Sequence, residues 1–181
     1  DSAAEIPVDR PVMAAVDNAD VNCVPAANRR KRLLIADMDS TMIPVECIDE
    51  IADCAGVRDE VVAITEPAMR GEMSFDEALI ARVALMEGLP EERLEDVWRG
   101  RISLNSGARV LVQTMRENGA YAALVSGGFT YFTQRVAAAA GFDEHRANML
   151  EIADGALTGT VGRPILGREA KLDALNALIS M

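Results

Sequence analysis

The sequence predicts an α/β fold, a parallel sheet whose first strand is followed by a long helical insertion. Three observations carry this. Two short apolar runs, at 33–36 and 121–125, have the length and composition of strands buried on both faces. Amphipathic helical segments stand between and after them, as parallel strands require. Residues 46–105 read almost wholly helical, far more than a single crossover needs.

The elements follow in order. Residues 1–32 hold three prolines and scattered acids and predict no regular element. They end in the basic run Asn28-Arg29-Arg30-Lys31-Arg32, read as a solvated lead-in to the first strand rather than an anion-binding patch. Leu33-Leu34-Ile35-Ala36 is the first strand. Segment 46–55 places Ile48, Ile51 and Ala52 on one face and stops at Gly56. A second helical segment covers 57–69. Ser74 with Glu77 three residues later is a capping box for a helix through residue 86. Segment 90–99 carries Glu91 and Glu92 in its first turn, where acids favour a helix start. Segment 108–117 is amphipathic and ends at Asn118-Gly119. The strand at 121–125 is closed by Ser126-Gly127-Gly128, and helix 132–140 stops at Gly141. Asp154-Gly155, inside 149–163, signals a hairpin, and a last helix covers 171–179.

Composition restricts the function classes. Of 181 residues 50% are hydrophobic and 26% charged, a globular balance. The net charge of −11 repels nucleic acid and anionic lipid, so neither is an expected partner. Any bound anion must be held by local chemistry. No run approaches the roughly 20 apolar residues of a membrane span, and no signal peptide is visible. Cys23, Cys47 and Cys54 lack metal-type spacing, which predicts a reduced, cytoplasmic setting. Cys47 and Cys54 are expected to share a helix face as small hydrophobes.

In parallel α/β sheets, ligands sit beyond the carboxyl ends of the strands. Asp37-Met38-Asp39 and Ser126-Gly127-Gly128 both fall there. Asp37 and Asp39 are two apart, so an extended strand would point both carboxylates to one side. Such a pair needs a cation between its members or a proton on one. An ionised Asp beside Mg²⁺ is a nucleophile for phosphorus, and a protonated neighbour can give its proton to a leaving alcohol. A calcium loop fits less well, since Met42 occupies the position that would need glycine. Ser126 and the glycines behind it offer a hydroxyl and bare amides to a phosphate; without G-x-G-x-x-G spacing they do not predict a dinucleotide site. Lys171, at the start of the last helix, is a candidate to neutralise phosphoryl oxygens.

Asp-x-Asp-Ser-Thr, the strand-end serine and the later lysine together resemble the first three motifs of the haloacid dehalogenase superfamily of phosphatases. Within the insertion, Glu46, Ala68-Met69-Arg70-Gly71, Ser74-Phe75 and Arg82-Val83-Ala84-Leu85 resemble the helical cap of the phosphoserine phosphatases. So do Ser126-Gly127-Gly128-Phe129 and Gly167-Arg168-Glu169-Ala170-Lys171. The resemblance covers roughly residues 30–181. It implies a Rossmann-like core at 31–181, a cap inserted at about 44–106, and residues 1–30 as a linker or the remnant of an N-terminal ACT-like domain.

It implies, further, Mg²⁺-dependent hydrolysis of O-phospho-L-serine, the last step of serine biosynthesis, through an aspartyl phosphate. Asp37 would be the nucleophile and Asp39 the acid and base, and both would hold Mg²⁺. Ser126, Gly127 and Lys171 would hold the phosphoryl group. Glu46 would meet the substrate ammonium and Arg82 its carboxylate, while Met69 and Phe75 close over it. A fourth motif is expected some twenty-odd residues after Lys171, where ten remain. The expectations are therefore an incomplete core, weakened metal binding and self-association, such as a homodimer. The alternatives are a related small-molecule phosphatase or phosphotransferase, and a non-catalytic fragment.

Overall fold

The structure, a computed structural model, describes residues 8, 9, 21–27 and 29–180. The chain divides into two compact units, Asp1–Lys31 and Arg32–Met181. The described residues of the first carry no helix or strand. Most of the segment expected to be a linker or domain remnant lies outside the described residues. Among the described residues no helix is long and apolar enough to cross a membrane.

The second unit is an α/β fold, as the sequence predicts. Its three-stranded sheet has the order β1-β2-β3, with β1 at Leu33–Ala36, β2 at Tyr121–Phe129 and β3 at Glu144–Asn148, all parallel. Leu33 pairs with Tyr121 and Ala36 with Leu124. Side chains alternate along β2, which gives the sheet two faces. Ala122 and Leu124 join the main core with Val112 of α5 (Ala108–Glu117) and Phe132, Val136 and Ala140 of α6 (Thr130–Ala140). Ala123 and Val125 meet Ala174 and Leu178 of α7 (Arg168–Ile179) on the other face.

Two boundaries correct the sequence reading. The second strand does not close at Val125 but runs on through the serine and glycines to Phe129, with its register against β3 broken between Val125 and Phe129. The third strand has no counterpart in the sequence reading. Its sequence, Glu-His-Arg-Ala-Asn, lacks the apolar run of a central strand, because four of its five residues are only half-buried.

The insertion comprises α1 (Cys47–Ala55), α2 (Arg58–Met69), α3 (Phe75–Ala84) and α4 (Glu92–Arg101). The Ser74–Glu77 capping box forms in both directions. Cys47 is buried and Cys54 half-buried, and both pack into the main core. Asn105 fastens the two linkers of the insertion together: its N–H donates to Met42 O at 2.9 Å and its amide to Thr41 O at 2.8 Å.

The expected hairpin forms from β4 (Leu150–Ala153) and β5 (Ala156–Val161). Asp154 and Gly155 both take positive φ, at 51° and 77°, as the turn between twisted strands requires. The hairpin reaches the insertion through backbone bonds: Gly88 N–H to Leu157 O (2.8 Å), Leu157 N–H to Leu89 O (2.9 Å) and Glu91 N–H to Gly155 O (2.8 Å).

Candidate active site

Asp37 is the first residue past β1, and the chain then turns at once. The amides of Thr41, Met42 and Ile43 all reach back to Met38 O, and Ser40 takes φ 51°. Met38 is 0% exposed and anchors the turn in the core. The two aspartates are therefore displayed by a tight loop, not by an extended strand. Each has its own partners, yet both line one cavity of about 220 Å³.

Asp37 accepts the Met38 N–H on Oδ1 at 2.8 Å and the Lys171 ammonium on Oδ2 at 2.5 Å. Lys171 stands in the first turn of α7, and α7 lies across the β1–β2 face. Packing of Ala174 and Leu178 on the sheet thus carries a cation to the end of β1.

Asp39 turns towards the insertion. Its Oδ1 accepts the N–H of Cys47, the first residue of α1, at 2.9 Å, where the helix dipole favours an anion. Its Oδ2 lies 3.3 Å from Ser126 Oγ, which in turn accepts the Gly128 N–H at 2.9 Å. Burial raises the Asp39 carboxyl above the usual aspartate range, against the lowering effect of Cys47 and Ser126, and the Asp37 charge adds to the rise. The raised member of the pair is the one suited to carry a proton. Burial also pushes the adjacent Cys47 thiol up, so that it stays protonated.

Gly128 is a glycine because of this contact. A Cβ there would stand 2.5 Å from Asp39 Oδ2 and 3.1 Å from Met38 Cε. Gly127 and Gly167 make room for the insertion, since their Cβ atoms would lie 3.0 and 3.1 Å from the Phe75 ring.

Phe75, Leu79 and Arg82 reach the cavity from α3 at spacings of four and three, one helical face. Arg82 donates to Ala78 O at 3.1 Å and to Thr65 Oγ1 at 3.4 Å. Among the described residues it has no carboxylate within ion-pair distance. Burial lowers its pKa, partly offset by the charges of Asp49 and Glu46. Glu46, at the mouth, accepts the Ser40 hydroxyl at 2.6 Å; desolvation raises its pKa and this bond opposes the rise.

Of the residues singled out in the sequence, eight line the cavity: Asp37, Asp39, Glu46, Phe75, Arg82, Ser126, Gly127 and Lys171. Met69 does not. It ends α2, is 84% exposed and stands outside the lining, so the expected closure over the cavity is not seen at this residue. Gly128, which the sequence reading places with Ser126 and Gly127, also lines the cavity, as do Leu79, Ile48 and Phe129, to which that reading assigns no place there. The i, i+4 spacing from Phe75 could have found Leu79. Among the described residues no group of three or more His, Cys, Asp or Glu forms a metal cluster.

Comparison with known proteins gives a consistent outcome. The family described as haloacid dehalogenase-like hydrolase matches residues 34–180. The chain is 50% identical over 144 residues to the phosphoserine phosphatase of Archaeoglobus fulgidus, covering 80% of this chain and 42% of that protein. It is 52% identical over 129 residues to that of Polaromonas sp., covering 71% and 55%. Against a substrate-bound phosphoserine phosphatase complex the TM-score is 0.77, at 37% identity, over 84% of this chain and 72% of the other. A phospho-aspartyl intermediate analogue of phosphoserine phosphatase gives 0.76 at 38% identity, with the same coverage. The chain spans about half the length of these curated relatives.

Proposed function

The chain belongs to the haloacid dehalogenase-like hydrolases, and on that footing we propose that it hydrolyses O-phospho-L-serine to L-serine and phosphate. The observation that carries the reading is the charge layout of one cavity. Lys171, Ser126 and Gly127 line it together with an aspartate pair, and so do a glutamate and a half-buried arginine that has no carboxylate partner among the described residues. A phosphate, a carboxylate and an ammonium on one small molecule match that layout.

Asp37 attacks phosphorus, and the P–O bond to the serine oxygen breaks as Asp39 gives that oxygen its proton. An aspartyl phosphate remains on Asp37. Asp39, now ionised, takes a proton from water, which attacks phosphorus and frees phosphate and Asp37. Ser126, Gly127 and Lys171 orient the phosphoryl oxygens, and residues 44–106, acting as a cap, exclude bulk water. The donor set suits Mg²⁺, which takes one or two carboxylates together with substrate phosphate and water. Asp37 and the main-chain carbonyl of Asp39 would hold the ion, and its charge would neutralise the phosphoryl oxygens. The three free cysteines support a reducing, cytoplasmic setting.

Arg82→Ala tests the substrate. Loss of a charge-assisted contact costs about 1.5–3 kcal/mol, or about 10- to 150-fold in kcat/KM for phosphoserine. p-Nitrophenyl phosphate, which has no carboxylate, should keep near-normal kcat/KM. Equal losses for the two esters refute the assignment.

Glu46 gives a pH dependence. Its ionised form would bind the ammonium, and its raised pKa places the acid-side loss of phosphoserine kcat/KM above the ordinary glutamate range. The Ser40 hydroxyl stabilises the ionised form, so Ser40→Ala should move that limb to higher pH. The same profile for p-nitrophenyl phosphate should not move; a shift common to both esters would place the titration elsewhere.

A further inference from the structure

We propose that Asn148 is a positioning residue of the phosphoryl site: its side-chain amide sets the distance between the Ser126-Gly127 backbone and the helix that carries Lys171. This inference rests on the phosphatase reading above.

The need arises from topology. Ser126 and Gly127 come from β2 and Lys171 from α7, and a loop joins α7 to the hairpin. The register of β2 against β3 breaks between Val125 and Phe129. Gly127 lies inside that break. Asn148, paired with Phe129 at the end of β3, supplies its carbonyl with a side-chain donor.

Its Nδ2 donates to Gly127 O at 2.8 Å and to Leu166 O at 3.2 Å. Its Oδ1 accepts the Leu166 N–H at 2.7 Å. Both amide hydrogens are used, and the residue is 1% exposed. Flipping the amide would set its oxygen against two carbonyls, so only one orientation satisfies the network. Leu166 lies just before Gly167 and α7, and Lys171 follows in the first helical turn. The amide is thus a brace between the two halves of the anion site; it bonds a cavity-lining residue, Gly127, from behind and does not itself line the cavity.

Asn148→Asp is the discriminating variant because it keeps the shape and removes both donors. A carboxylate would face two carbonyls, while the acceptor for Leu166 N–H remains. A displacement of about 1 Å at reacting groups costs on the order of 10²-fold. We expect kcat to fall by about that factor for phosphoserine and p-nitrophenyl phosphate alike, with KM changed little. Orthovanadate, which adopts the five-coordinate geometry of the transferring group, should lose affinity by a similar factor, and inorganic phosphate by far less. Thr133→Val, which removes the buried Thr133–His145 bond at 3.0 Å elsewhere on β3, is the control and should keep its kcat.

Amide exchange separates the two effects on the loop. Leu166 should stay protected in Asn148→Asp and lose protection in Asn148→Ala. A folded Asn148→Asp protein with unchanged kcat and unchanged vanadate affinity would overturn the proposal. If the unaltered protein turns over neither ester, the phosphatase reading fails, and vanadate affinity measured by calorimetry still decides the role of Asn148. Equal affinity in both proteins counts against it.

Discussion

Asp37→Asn should abolish ester hydrolysis, lowering kcat by at least about 10⁴-fold, as removal of a nucleophile typically does. An amide nitrogen cannot form the acyl phosphate from which the second half of the reaction proceeds. Folding is not expected to confuse the result. The ion pair with Lys171 is about 40% exposed on both sides, and such pairs contribute about 0–1 kcal/mol. The measurement is steady-state turnover of phosphoserine, together with trapping of phosphorylated protein from a labelled substrate. Loss of both, with the unfolding midpoint unchanged, is the expected result. Label retained by the Asp37→Asn variant would move the nucleophile to another side chain.

Gly128→Ala is expected to be nearly as severe, although it adds one methyl group to a residue with no chemistry of its own. The new Cβ would stand 2.5 Å from Asp39 Oδ2, so the carboxylate must leave the position where it meets Ser126 and the Cys47 amide. Misplacing a general acid and base costs about 10²–10⁴-fold, and we expect a loss within that range, in kcat. Gly127→Ala makes the contrast. Its Cβ would press on the far end of the Phe75 ring at 3.0 Å, a side chain that can rotate, so the effect should fall on KM. If the two variants show the same split between kcat and KM, the contact between Gly128 and Asp39 does not govern the acid.

What is legible in the sequence follows from how locally each feature is determined. The strand at Leu33–Ala36, the capping box and the Asp154-Gly155 turn are written in short-range patterns, and each forms. The Asp-x-Asp pair and the serine-glycine run can be placed because strand ends in parallel sheets display their loops on one side. β3 is illegible because an outer, half-buried strand has no need of an apolar run. Without it Asn148 stays concealed, since its value lies in a non-local contact with Gly127 and Leu166. Met69 shows the converse: its place rests on a motif position, and here the end of α2 leaves the side chain in solvent. Asp39's partners are equally hidden, since only the turn around Met38 brings the Cys47 amide to its carboxylate.

The backbone bonds between β5 and residues 88–91 have a mechanical consequence. A helical insertion hung on two linkers could swing as a free flap about that seam. This one is riveted at its far end to the hairpin, and the hairpin leads directly into the chain that Asn148 clamps at Leu166. Displacing Leu89 pulls on Leu157, so the arm that bears Arg82 and the arm that bears Lys171 belong to one linkage. We expect slack in the arm that bears Arg82 to reach the arm that bears Lys171. A ligand filling only one end of the cavity should then slow amide exchange at both Gly88 and Leu166, two sites that share no contact with it.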